Sequence, residues 1–109
     1  MCSDEIYVNY HLQDEASLWI YPILKYNGYR MVFYSGDTDG AVPTYGTKRW
    51  LAKLNWPLKD HGEWRAWHTF EGPNQISQVA GFQTNYDGLD FFTFRGVGHM
   101  APQWAPMAG

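Results

Sequence analysis

The sequence predicts an α/β fold, and three features carry that prediction. A run of four apolar residues, Met31-Val32-Phe33-Tyr34, lies between Gly28 and Gly36. A polar turn then leads into a segment whose Tyr45, Trp50, Leu51 and Leu54 form an apolar stripe at helical spacing. Two further apolar segments, 79–86 and 89–95, meet at Asn85-Tyr86-Asp87-Gly88. The first run is short and bounded by glycines, so it reads as a strand buried on both faces, as in a parallel sheet.

Taken in order, residues 1–13 are polar and aromatic and read as a loop or short helix. Asp14 is a candidate N-cap for a helix running to Lys25, with Ala16, Ile20 and Leu24 spaced along one face. Pro22 predicts a kink or break there, because proline lacks an N–H and crowds the preceding turn. Asn27-Gly28 stops the helix. After the strand at 30–35, Gly36-Asp37-Thr38-Asp39-Gly40 is turn chemistry, and Pro43 suits the first turn of a helix reaching Leu54. Residues 55–62 form a loop with Pro57, and 63–71 alternate aromatic with polar side chains, shifting phase at Trp67. The segments 79–86 and 89–95 make a hairpin about Asn85–Gly88. Pro102 and Pro106 prevent long regular structure beyond it.

The chain has 109 residues, enough for a single domain. Aromatic residues make up 18%, which excludes a disordered tail. No stretch of about 18 apolar residues exists, so no membrane span is expected. Eight basic against 11 acidic residues give a net charge of −3, which argues against a nucleic-acid partner. Cys2 is the only cysteine, so it lies in a reducing compartment or pairs with another polypeptide. No basic-then-apolar leader is visible. His11, His61 and His68 show no metal-ligand spacing, so neither a metal nor a cofactor is expected.

Two loops carry candidate chemistry, each following a predicted strand. In open α/β sheets, ligands bind just past the carboxyl ends of the strands. The first loop holds Asp37 and Asp39, and the second is Arg95-Gly96-Val97-Gly98-His99-Met100-Ala101-Pro102. An Asp and a His are two parts of an acyl-transfer triad, in which the carboxylate fixes the imidazole tautomer and stabilises its cation. Glycines around His99 allow the sharp turn that presents the ring. Asp preceding His is the order of α/β-hydrolases, which run Ser, Asp, His. No G-x-S-x-G occurs, and Ser3, Ser17, Ser35 and Ser77 lie in no nucleophile elbow. Taken singly, an Asp-rich turn before a helix also reads as a cap, and a His beside glycines as a loop residue. Met100 reads as core filler or as the wall of an apolar pocket.

At these residues the chain resembles the C-terminal part of the serine carboxypeptidases, an α/β-hydrolase family of secreted and vacuolar or lysosomal enzymes. Tyr34-Ser35-Gly36-Asp37-Thr38-Asp39-Gly40-Ala41-Val42-Pro43 is the most specific segment. Gly96-Val97-Gly98-His99-Met100-Ala101-Pro102 matches the His segment, with Val97 where alanine is commoner. Trp64-Arg65-Ala66-Trp67 and Gln78-Val79-Ala80-Gly81-Phe82 are similarly placed, and the likeness covers nearly the whole chain.

The resemblance implies an α/β fold that is the C-terminal part of an α/β-hydrolase, a mixed sheet with flanking helices, over residues 1–109. It implies that Asp39 is the triad acid, His99 the base, and Met100 a wall of the pocket for the departing residue. It implies that Cys2 pairs with an upstream cysteine. The substrate would be the C-terminus of a peptide or protein, the location the secretory pathway, and no cofactor is called for. The family's G-E-S-Y-[AG]-G nucleophile motif, its oxyanion-hole glycines and its carboxylate-holding Asn and Glu have no counterpart here. The serine is therefore expected from a missing N-terminal segment or large chain. The alternative is a catalytically inactive fragment or paralogue acting as a binding or structural module.

Overall fold

Proline and glycine set the helix boundaries. Pro22 lies in the first turn of α2 (Ile20–Tyr26), where its missing N–H would have no intrahelical acceptor. Among the described residues the helix begins at Ile20, after turn residues 17–19, and the Ile20 amide donates to the Ser17 carbonyl at 3.1 Å. The computed structural model describes residues 4–11, 17–71 and 73–105, so the proposed cap Asp14 lies outside the described residues. Ahead of α2 is a short helix, α1 (Asp4–Asn9). Gly28, at φ +76°, ends α2 in the left-handed conformation, as Asn27-Gly28 predicts.

The strand β1 (Met31–Gly36) follows, then α3 (Thr44–Leu54), with Pro43 at its N-cap position and Asn55 left-handed at its end. A meander of β2 (Arg65–Glu71), β3 (Ile76–Tyr86) and β4 (Leu89–Phe94) completes one mixed sheet in the order β1-β4-β3-β2. Pro102 falls in the first turn of the short α4 (Ala101–Trp104). β1 pairs parallel with β4, from Met31↔Leu89 to Gly36↔Phe94, and the other pairs are antiparallel. The phase shift at Trp67 is a register irregularity between Trp67 and His68. Gly81 stands opposite, and a Cβ there would come within 1.7 Å of the Thr93 carbonyl oxygen. Its absence leaves that oxygen free to accept the Trp67 Nε1–H at 3.0 Å.

Leu89, Phe91, Met31 and Leu51 form the core, and Tyr21, Phe33 and Trp50 pack against it. Those three rings lie 5.0–5.2 Å apart, joining α2, β1 and α3. The expectation that β1 is buried on both faces is corrected here. Val32 and Tyr34 are each 53% exposed, so among the described residues one face of β1 is open. The continuous apolar run encodes two coverable faces, and α2 and α3 occupy only that of Met31 and Phe33.

The opposite end of the sheet is fixed by a buried charge. Asp90 accepts from Asn85 at 2.8 Å, Lys59 at 3.1 Å and Arg30 at 3.2 Å. Burial works to raise its pKa, but those donors outweigh it and hold the carboxyl below the ordinary aspartate value. The associated stability is present above about pH 4 and is lost as pH falls through the folded value. No helix among the described residues is long and apolar enough to cross a membrane.

Candidate functional site

Because β1 and β4 run parallel, their carboxyl ends lie side by side, and the loops that leave them meet. The Asp37 amide donates to the Phe94 carbonyl at 2.9 Å, and the Thr38 amide to the Val97 carbonyl at 3.2 Å. The Asp37 carboxylate accepts the Gly96 amide at 2.7 Å. Gly36 makes this approach possible. A Cβ there would lie 2.2 Å from the carbonyl oxygens of both Val97 and Gly98. Gly36→Ala is therefore expected to push the loops apart and lower stability by about 1–3 kcal/mol, read as a fall in the thermal midpoint. An unchanged midpoint would show that the loops yield freely.

Asp39 and His99 meet across this junction. Asp39 Oδ1 accepts the amides of Ala41 at 2.8 Å and Val42 at 3.0 Å, in the turn that leads to Pro43 and α3. Its Oδ2 lies 2.9 Å from His99 Nδ1. The Val42 amide and then the His99 ring hold the Asp39 carboxyl below its ordinary pKa, against a smaller opposing effect of desolvation. An ionised carboxylate only accepts, so Nδ1 carries the proton of that bond. In the neutral ring, Nε2 is then left as a proton acceptor. The Asp39 side chain is 7% exposed and that of His99 68%: the acid is enclosed and the base faces outward.

The pair opens on a cleft of about 250 Å³ lined by Tyr34, Ser35, Gly36, Asp39, Val42, Thr47 and His99. A larger cleft of about 880 Å³ shares Tyr34, Val42 and Thr47 with it and continues along the aromatic side chains of α2 and α3. Ser35 is the serine nearest in sequence to the pair, but its hydroxyl bonds Thr44 Oγ1 at 2.9 Å. Ser17 bonds the Tyr21 hydroxyl at 3.2 Å. Among the described residues no serine hydroxyl bonds His99. None of them form a group of three His, Cys, Asp or Glu able to hold a metal ion.

Asp39 and His99, singled out from the sequence, are thus brought together. Met100 follows His99 in the chain, is 55% exposed, and lines neither cleft. Cys2 lies outside the described residues. The bond from the Gly96 amide to the Asp37 carboxylate has no signal in the sequence, which reads Asp37 only as a turn or cap residue. The contributions of Tyr34 and Thr47 to the cleft leave no motif in the sequence.

Comparison with known proteins converges on one family. A family profile described as "Serine carboxypeptidase" matches residues 1–109. Serine carboxypeptidase-like 32 of Arabidopsis thaliana is 39% identical over 108 residues, covering 97% of this chain and 22% of that protein. Serine carboxypeptidase-like 31 of the same plant is 40% identical over 106 residues, covering 97% and 20%. Serine carboxypeptidase 1 of Hordeum vulgare is 34% identical over 108 residues, covering 97% and 19%. The chain spans about a fifth of the length of the curated relatives it matches.

Proposed function

The chain belongs to the serine carboxypeptidase family, and from that premise we propose that it supplies the acid and the base of a Ser-Asp-His triad. One observation carries the reading: Asp39 Oδ2 lies 2.9 Å from His99 Nδ1 at the ends of two adjacent parallel strands. On this reading residues 1–109 are the C-terminal segment of an α/β-hydrolase domain, and the serine comes from a segment outside them.

The serine Oγ attacks the carbonyl carbon of the last peptide bond while its proton passes to His99 Nε2. Asp39 stabilises the imidazolium through Nδ1. The tetrahedral intermediate collapses as Nε2–H protonates the departing amino group, and the C–N bond breaks to leave an acyl-enzyme. Water then attacks the ester by the same proton route, returning the serine and releasing the shortened peptide. Met100, exposed beside His99 and outside both clefts, borders a pocket for the departing residue that the serine-bearing segment completes, and Cys2 bonds a cysteine of that segment. The whole enzyme acts on peptide or protein C-termini, in the vacuole or lysosome or outside the cell.

The test is turnover of a blocked dipeptide, by the chain alone and by the chain joined to its serine-bearing segment. Release of the C-terminal amino acid is expected only from the joined protein, and a serine-directed covalent inhibitor should abolish it. Inhibitor-sensitive turnover by the chain alone would contradict the reading. Absence of turnover in both would favour a binding or structural module.

A further inference from the structure

Asp39 is held at Oδ1 by the amides of Ala41 and Val42, which leaves Oδ2 to the imidazole. His99 is not so held. Its ring is 68% exposed, and among the described residues its one side-chain hydrogen bond is to Asp39. The placing of the ring therefore depends on the backbone that carries it, a stretch after β4 with no regular structure until α4. That backbone is tied to the Asp39 loop by the two amide–carbonyl bonds from Asp37 and Thr38 and by the Gly96 amide donating to Asp37 Oδ1. Only the third involves a side chain. It is also the shortest, at 2.7 Å, and it falls on Gly96, which is left-handed at φ +72° three positions before His99.

We infer that Asp37 is a positioning residue: through the Gly96 amide its carboxylate sets the separation of the two loops and so holds the His99 ring in register with Asp39 and the serine. The inference rests on the acid–base reading of Asp39 and His99. Asp37 exchanges no proton with substrate and does not touch the ring. Its side chain acts by distance, and an error of about 1 Å in a catalytic group can cost on the order of 100-fold in rate.

The test uses the protein that joins this chain to its nucleophile, with kcat and KM measured for Asp37→Ala, Asp37→Asn and His99→Ala. Asp37→Ala removes the acceptor and should lower kcat by about 10- to 100-fold, with KM within about threefold of the parent. Asp37→Asn keeps an amide oxygen for Gly96 and should retain at least about a third of kcat. A loop residue of purely structural value would lower the thermal midpoint without this split or this rescue. Unchanged kcat in Asp37→Ala, or equal damage in Asp37→Asn, overturns the inference while the inactivity of His99→Ala upholds the acid–base reading. Activity in His99→Ala overturns both. Amide hydrogen exchange covers the case in which Asp37→Ala does not fold. Gly96 should be protected in the parent and in Asp37→Asn, and exchange at the rate of a free amide in the parent would refute the tie.

Discussion

His99→Ala should lower kcat by about 10⁶-fold in the protein that joins this chain to its serine, with KM little changed. The imidazole accepts the serine proton and later gives it to the departing amine, so its loss disables both halves of the reaction. No neighbour replaces it, because Asp39 is enclosed and already committed to two backbone amides. The residual rate should come from binding and oxyanion stabilisation alone. Measuring kcat together with the thermal midpoint, which does not depend on the base, separates loss of the base from loss of the fold. Retained turnover in a folded His99→Ala protein would remove the catalytic role of this chain.

Asp39→Asn should cost about 10⁴-fold in kcat. The substituted side chain keeps one oxygen, and the amides of Ala41 and Val42 would claim it. Its NH₂ group would then face Nδ1 and favour the tautomer protonated at Nε2, which cannot take a proton from serine. The substitution should also change the response to acid. The carboxyl of Asp39 is held below its ordinary pKa by the Val42 amide and His99. Its contribution to stability is present above about pH 4 and is lost as pH falls through the lower folded value. Asp39→Asn should flatten the thermal midpoint against pH in that window. A smaller loss of kcat in Asp39→Asn than in Asp37→Asn would show that the other carboxylate faces the base.

Elements whose signals are local were legible in the sequence. Gly28 and Gly36 bracket β1, Pro43 opens α3, and Asp87-Gly88 turns β3 into β4. The phase change at Trp67 marked the irregular register of β2. Asp39 and His99 stood out because the two loops combine residue type, order and place after a strand. What did not show depended on partners distant in the chain. Pro22 signals a helix boundary but not that α2 begins two residues before it, at Ile20. An apolar run records that both faces of β1 can be covered, not that one is. The division of labour between Asp37 and Asp39 follows from the approach of the Gly96 amide, which no nearby residue encodes.

The strand pairing that brings acid and base together has a consequence for the order of assembly. β2, β3 and β4 are joined by short turns and can zip locally, whereas β1 reaches β4 only across α3 and the rest of the meander. Closing that long loop is entropically unfavourable and rewarded only once β4 is in place. Both β1 and β2 are edges of this sheet, but β2 is tied to β3 by a short turn while β1 is held to the meander only by long-range pairing, which makes β1 the part of the sheet most readily released. Asp39 and His99 therefore meet late in folding and part early in unfolding. A chain whose meander is still intact can already have lost the geometry for proton transfer, so activity should fail at a milder stress than spectroscopic signals of the sheet.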